Sequence, residues 1–494
     1  MHDPKLTNPD LAPVDATRRT WSWYHIASLW VGMAICIPTY TLASSLVDRG
    51  WSWQAAVGSV VLGNFVVLVP MVLNSHAGTK YGIPFPVMAR SAFGVLGANV
   101  PALLRAVVAC GWFGIQTWIG GFAIFKLLEV LWPGIATLPH VLPAFVGLGT
   151  GEFLCFMFFW AIQVWIVMRG MESIKLLESW GSPFLLAVGA ALLVWAWSRA
   201  GGWAPMLANP TAAATATANS GVGSVFGSGL TSAVAFWGTM ALSIPDFSRF
   251  ARSQQDQIVG QAVGLPGTMA AFAFIGAAVT NASVVIFGTR IADPIALLAR
   301  IGGPMVVVLS MLGLSIATLT TNLAANVVAP ANDFSNVAPH KIRFKTGAMI
   351  TAVVGILMMP WKLYNDAAAY IFAWLIGYGA LLGPIAGIMI VDYFVLRGRE
   401  LDVDDLYRRG GQYEYSKGIN WVAMIALVLG IAPNLPGFLG AIGVMQAGPI
   451  ATTIYEWAWF VGLAIAAAVY YLGMRLSAKG AVSSHESPVT GHGQ

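Results

Sequence analysis

The chain has 494 residues, 57% of them hydrophobic and only 10% charged, with a mean hydropathy of +0.72. A soluble domain carries about 25% charged residues, so the composition excludes a soluble globular protein and points to an integral membrane protein. The net charge of +5 belongs to the loops and implies no nucleic-acid partner.

The first 20 residues are polar and contain no apolar core, so no signal peptide is expected and the first span directs insertion. Residues 1–24 read as an N-terminal tail. Twelve spans follow, near 25–47, 54–74, 98–130, 143–168, 181–198, 227–247, 262–287, 302–329, 346–360, 365–395, 418–433 and 452–475. The Thr/Ala-rich stretch 201–224 reads as a flexible connection, and 396–417 as a charged loop that ends a transport core over 25–395. Two accessory helices occupy 418–475, and 476–494 reads as a disordered tail. With the N-terminus inside the cell, every Lys and Arg except Arg49, Lys126, Arg199, Arg290, Arg300 and Lys362 falls on the inner side. That asymmetry predicts cytoplasmic termini and an even number of spans.

The stretch LWVGMAICIPTY at 29–40 is echoed by FWGTMALSIPDF at 236–247. A shift of 207 residues places Trp30 on Trp237, Met33 on Met240, Ile37 on Ile244, Pro38 on Pro245 and Tyr40 on Phe247. Gln54 and Ala55 fall on Gln261 and Ala262, at the start of the next span. Because the shift crosses five spans, the halves 25–198 and 227–395 are expected to be inverted copies, a five-plus-five repeat. Each copy has a proline where a membrane helix would continue, which predicts a break in each first helix at that proline. Paired broken helices point to a secondary transporter's substrate site.

Trp112 and Gln116, four apart in GWFGIQTWIGG, share a helix face. An indole offers a stacking surface and a primary amide both gives and takes hydrogen bonds, which suits a planar, polar, uncharged ligand. A lipid-facing Trp with a Gln bonded to a neighbouring helix is the competing reading. Gly111, Gly114, Gly120 and Gly121 favour a bundle-facing surface by permitting close approach. Phe236 and Trp237 lie two turns before Pro245, and Trp237 offers a second stacking plane or a packing tryptophan. Ala317, Thr320 and Thr321 share a face in the eighth span; Asn322 and Asn326, costly in a bilayer, call for a ligand or an interhelical partner. Asp246, Asp333 and Asp392 sit towards span ends, so no mid-membrane carboxylate is expected, which favours a neutral substrate and Na⁺ coupling over a proton relay. Cys36, Cys110 and Cys155 read as small buried hydrophobes, with Cys36 beside the first break. The histidines lack metal-site spacing and no nucleotide-binding loop is present.

The motifs IPTYTLASSL, NSHAGTKYGIPFPVMARSAFG, GWFGIQTWIGG, RGMESIKLLESWGSPFL, IPDFSRFARS and GQYEYSKGINW together resemble the nucleobase–cation symporter-1 family over about 18–475. The resemblance implies an all-α, leucine-transporter-like inverted repeat with two extra C-terminal helices. It implies import of a neutral planar nitrogen heterocycle such as allantoin, hydantoin or a pyrimidine base, held between Trp112 and Trp237 with Gln116 and Asn326 on its edge. Cys36 aligns with a position that is often an amide in similar proteins, a departure on that side of the ligand. A coupling Na⁺ would lie between backbone carbonyls of Gly32 and Ile35 and the group Ala317, Thr320 and Thr321; some relatives use H⁺. No other cofactor is implied, and a monomer in the bacterial inner membrane is expected. A same-fold carrier of an amino acid or a thiamine-like vitamin is the alternative. A membrane-embedded transferase would need paired acidic motifs or a His/Asp cluster.

Overall fold

The computed structural model describes residues 3–169, 171–208, 222–364 and 369–485; side chains at 171–185, 222–225, 317, 320, 324 and 478–485 lie outside that description. Helix α1 (Trp23–Ala34) gives way to α2 (Ile37–Asp48) at a 55° bend. Cys36, extended at φ −147° and ψ 162°, ends one helix and caps the next, with Pro38 in the first turn of α2. A proline there has no hydrogen bond to lose. After α3 (Trp53–Tyr81) and the short α4 (Phe85–Phe93) comes α5 (Asn99–Leu131), whose central turns are almost wholly buried. The first repeat ends with α6 (Thr150–Arg169) and α7 (Met171–Ala200).

The second repeat opens with three pieces, α8 (Val222–Phe236), α9 (Gly238–Ser243) and α10 (Pro245–Ser248). Its main interruption is at Trp237 (φ −100°, ψ 11°), not at the expected Pro245. Ile244 is itself helical, so Pro245 starts α10 without a sharp turn. Helices α11 (Gln254–Phe287), α12 (Pro294–Ile301), α13 (Pro304–Val337), α14 (Phe344–Leu357) and α15 (Ala369–Leu396) complete the core. Helices α16 (Trp421–Ala441) and α17 (Ala458–His485) follow.

Among the described residues eight helices are long and apolar enough to cross a membrane, nine when the bent α1/α2 pair is one span. The spans expected at 181–198, 227–247 and 346–360 coincide with shorter apolar helices Leu186–Ala200, Phe226–Phe236 and Phe344–Leu357. Helix α17 runs to His485, past the expected start of the tail at 476; residues 486–494, most of the 201–224 connection and the beginning of the 365–395 span lie outside the described residues.

Packing follows the repeat. Helix α1 lies against α11, and the shifted pair, α8 against α3, is also in contact; α5 meets its own counterpart α13, and α3 meets α11. Trp30 and its copy Trp237 touch edge to face, with ring centroids 5.0 Å apart. Equivalent residues can meet only near the pseudo-twofold axis relating the copies. Glycines allow the close seams: a Cβ on Gly114 would sit 2.5 Å from Gly355 O, and one on Gly264 would sit 2.7 Å from Ala27 O.

One end of the bundle is closed by polar contacts. Tyr407 donates to Leu11 O at 2.7 Å, Asn8 to Pro339 O at 3.2 Å and Arg249 to Asp10 O at 2.9 Å, drawing the N-terminal segment and the 396–417 loop together. Arg90 and Arg105, counted from the sequence among the charges of the inner side, are fully buried here. Arg90 donates to Leu406 O and Asn336 Oδ1; Arg105 pairs with Asp333 at 3.1 Å and donates to Ser243 Oγ at 2.8 Å. Burial of a guanidinium is tolerable when such partners replace water.

Candidate functional site

Helices α5, α8 and α15 converge on Trp112. Phe236 lies edge-on to Trp112 at 5.2 Å and to Trp237 at 5.1 Å, so it touches both of the expected stacking rings. Trp374, Tyr370 and Tyr378 also lie edge-on to Trp112 at 6.1 to 6.4 Å, and Trp112 donates its indole N–H to Tyr378 at 3.3 Å. These three residues of α15 were missed in the sequence. Their i, i+4, i+8 spacing was the available signal, although Tyr370 and Trp374 belong to a π-helical turn, Ala369–Leu375.

Within this aromatic cluster several polar atoms are unmatched. Gln116 is 4% exposed and its Oε1 has no hydrogen-bond partner among the described residues; neither do the indole N–H groups of Trp30, Trp237 and Trp374. A buried polar atom without a partner costs about 1–3 kcal/mol, so the cluster offers both an acceptor and donors to a polar ligand. Asn322 is committed elsewhere: its Nδ2 donates to Phe113 O at 3.0 Å and to Gln163 Oε1 at 2.6 Å, while its Oδ1 accepts from Asn326 at 2.9 Å. Cys36 is buried, with its sulfur 3.3 Å from Thr39 Oγ1.

The first break releases backbone carbonyls. Cys36 N–H bonds Ala34 O at 3.0 Å instead of reaching back four residues to Gly32, and Thr39 N–H bonds Cys36 O instead of Ile35. Gly32 and Ile35 thus lose the amides that would engage them in a continuous helix, which suits hard-cation coordination. Helix α1 contacts α13, on which Thr321 is buried. The side chains of Ala317 and Thr320 lie outside the described residues.

A cavity of about 710 Å³ opens at the far end of the bundle from the closed face, lined by Thr41, Ser45, Trp118, Asp293, Trp361, Tyr364 and Tyr370 among others. None of the substrate residues expected from the sequence lines it. Tyr370 joins it to the aromatic cluster, since its hydroxyl donates to Pro38 O at 3.1 Å while its ring meets Trp112. Tyr364 bonds Thr41 Oγ1 alongside.

Residues 13–462 match the family described as "Permease for cytosine/purines, uracil, thiamine, allantoin". The chain is 47% identical over 495 residues to the purine-uracil permease NCS1 of Arabidopsis thaliana, covering 99% of this chain and 81% of that protein. It is 41% identical to the allantoin permease of Bacillus subtilis, over 96% and 94% of the two chains. Among solved structures it is similar to Mhp1, a nucleobase-cation-symport-1 family transporter in a closed conformation with bromovinylhydantoin bound: TM-score 0.77, 27% identity, 96% of each chain.

Proposed function

Because the chain belongs to the permease family for cytosine/purines, uracil, thiamine and allantoin, we propose that it imports one neutral, planar nitrogen heterocycle of the ureide, imide or pyrimidine type together with Na⁺. It is a nucleobase-type cation symporter, not an enzyme. The observation that supports the substrate class is the buried Oε1 of Gln116, one turn from Trp112, and the indole N–H of Trp237, whose ring touches Phe236; neither has a partner among the described residues. A flat ring with N–H and C=O groups on its edge satisfies an acceptor and a donor at once and brings no charge to desolvate.

In this reading Trp112 and Trp237 stack on the ring, Phe236 yields the space between them, and Gln116 and Asn326 read its edge. Cys36 supplies the contact at the first break. Na⁺ is held by the carbonyls of Gly32, Ile35 and Ala317 with the hydroxyls of Thr320 and Thr321. Ion and ring share the broken-helix region, so each favours the conformation the other prefers. The Tyr370–Pro38 contact separates the cavity from Trp112 and has to part for the ring to enter. The closed face, with the N-terminal segment, is assigned to the cytoplasm, and the protein works as a monomer in the cytoplasmic membrane.

The test is binding of allantoin, 5-substituted hydantoins, uracil, cytosine, thiamine and leucine to purified protein, with and without Na⁺. Saturable binding of a neutral heterocycle, tightened by Na⁺, is expected. Tightening by protons alone would move the coupling ion to H⁺, and binding of only thiamine or leucine would overturn the substrate class.

A further inference from the structure

Tyr378 differs from the other rings around Trp112 in having a hydroxyl whose direction is settled. An indole nitrogen can only donate, so at 3.3 Å Trp112 Nε1 gives its proton and the Tyr378 oxygen accepts it. The phenol proton therefore points elsewhere. Tyr378 is 3% exposed, and its hydroxyl donates to no acceptor among the described residues. Tyr370, on the same helix, has by contrast spent its proton on Pro38 O at 3.1 Å. Trp374, four residues before Tyr378, meets its ring with centroids 5.1 Å apart and has a buried indole N–H without a partner among the described residues. Helix α15 thus brings two uncommitted donors to the cluster, where α5 brings an uncommitted acceptor, Gln116 Oε1.

An indole N–H lies in the plane of its rings, so the Tyr378 oxygen sits at the rim of Trp112, beside the edge of any ring stacked on that indole. A buried donor left unmatched is costly, and a carbonyl oxygen on the stacked ring removes that cost without bringing a charge. We propose that Tyr378 is a further substrate-binding residue, donating its hydroxyl proton to a ring carbonyl, a role that rests on the reading of Trp112 as a stacking ring. Trp112 then does two things at once: its face carries the ring, and its N–H turns the Tyr378 proton away from the indole. With Gln116 accepting from a ring N–H, the site reads C=O and N–H separately and favours cyclic ureides and imides over rings without a carbonyl.

The probes are uracil with 2- and 4-thiouracil, and hydantoin with 2- and 4-thiohydantoin. Replacing one carbonyl oxygen by sulfur keeps the ring and its N–H groups but weakens that acceptor. The parent is expected to bind a dicarbonyl ring about tenfold more tightly than one of its two thio analogues. Tyr378→Phe keeps the aromatic ring, weakens the dicarbonyl ligand and narrows that ratio by about fivefold or more, because the group that senses the oxygen is gone. If the substitution merely disturbs the packing of Trp112, oxygen and sulfur ligands weaken together and the ratio stands, which overturns the assignment and leaves the substrate reading intact. A parent that does not distinguish oxygen from sulfur at either carbonyl also overturns it. A parent that binds neither uracil nor hydantoin takes the substrate reading and the Tyr378 assignment down together.

Discussion

The two repeats start from matching sequence and break their first helices in different ways. In the first, Cys36 is extended and the chain bends by 55° between Ala34 and Ile37, just before Pro38. In the second, the residue equivalent to Cys36 is Ser243, which remains helical and accepts a hydrogen bond from the buried Arg105. The interruption moves back to Trp237, before Gly238. The first break releases carbonyl oxygens; the second sets aromatic rings beside Trp112. Under the proposed function, one fold symmetry serves two chemistries, cation coordination on one copy and ring stacking on the other. Proline at the start of a helix permits a break but does not locate it.

The largest effect is expected at Arg105. Arg105→Met leaves Asp333 buried without its partner and releases Ser243, and should cost about 3–5 kcal/mol in thermal or denaturant unfolding of the solubilised protein. Adding Asp333→Leu should recover much of that loss, because an unpaired charge is worse than none. Failure to recover would mean that the Ser243 contact dominates and that Arg105 chiefly keeps the second repeat helical at the position where the first breaks.

Trp237→Ala should weaken heterocycle binding by about 10- to 100-fold, the value of one aromatic stack, while leaving the dependence on Na⁺ intact. Titration of the ligand at low and high Na⁺ checks both parts. Thr321→Ala should do the reverse, weakening the response to Na⁺ by about tenfold with little change in ligand affinity at saturating Na⁺. If both substitutions alter both quantities equally, the division of labour between the breaks is wrong. The smallest effect is expected at Pro245→Ala, within about 1 kcal/mol in unfolding and without change in binding, since Ile244 is helical and the first turn of a helix does not depend on proline.

Much of the all-helical architecture was legible in the sequence because a bilayer forces it: long apolar runs are a direct physical requirement. That Trp112 and Gln116 lie buried on one helix was legible because four-residue spacing fixes a shared face. The burial of Arg105 was not legible because its partner, Asp333, lies on another helix and meets it only after folding. Trp237 was recognised as a ring, but the break was assigned to Pro245, since nothing local reveals that Ser243 is held helical by a residue from α5. Tyr370 and Trp374 escaped notice because aromatic residues at helical spacing are usual in a membrane core. Their importance comes from reaching Pro38 and Trp112, contacts that exist only after folding. The same holds for Gln163, whose two bonds reach two other helices.

The most direct test of the account is the affinity of the parent and Thr321→Ala for the best-bound heterocycle, measured calorimetrically across a series of Na⁺ concentrations. The account predicts that the parent's Kd falls by about tenfold or more as Na⁺ rises, the size of an ordinary coupling between sites, and that Thr321→Ala needs far more Na⁺ to reach the same affinity. A parent Kd independent of Na⁺, or an identical Na⁺ dependence in the variant, would contradict the assignment of the cation to the first break.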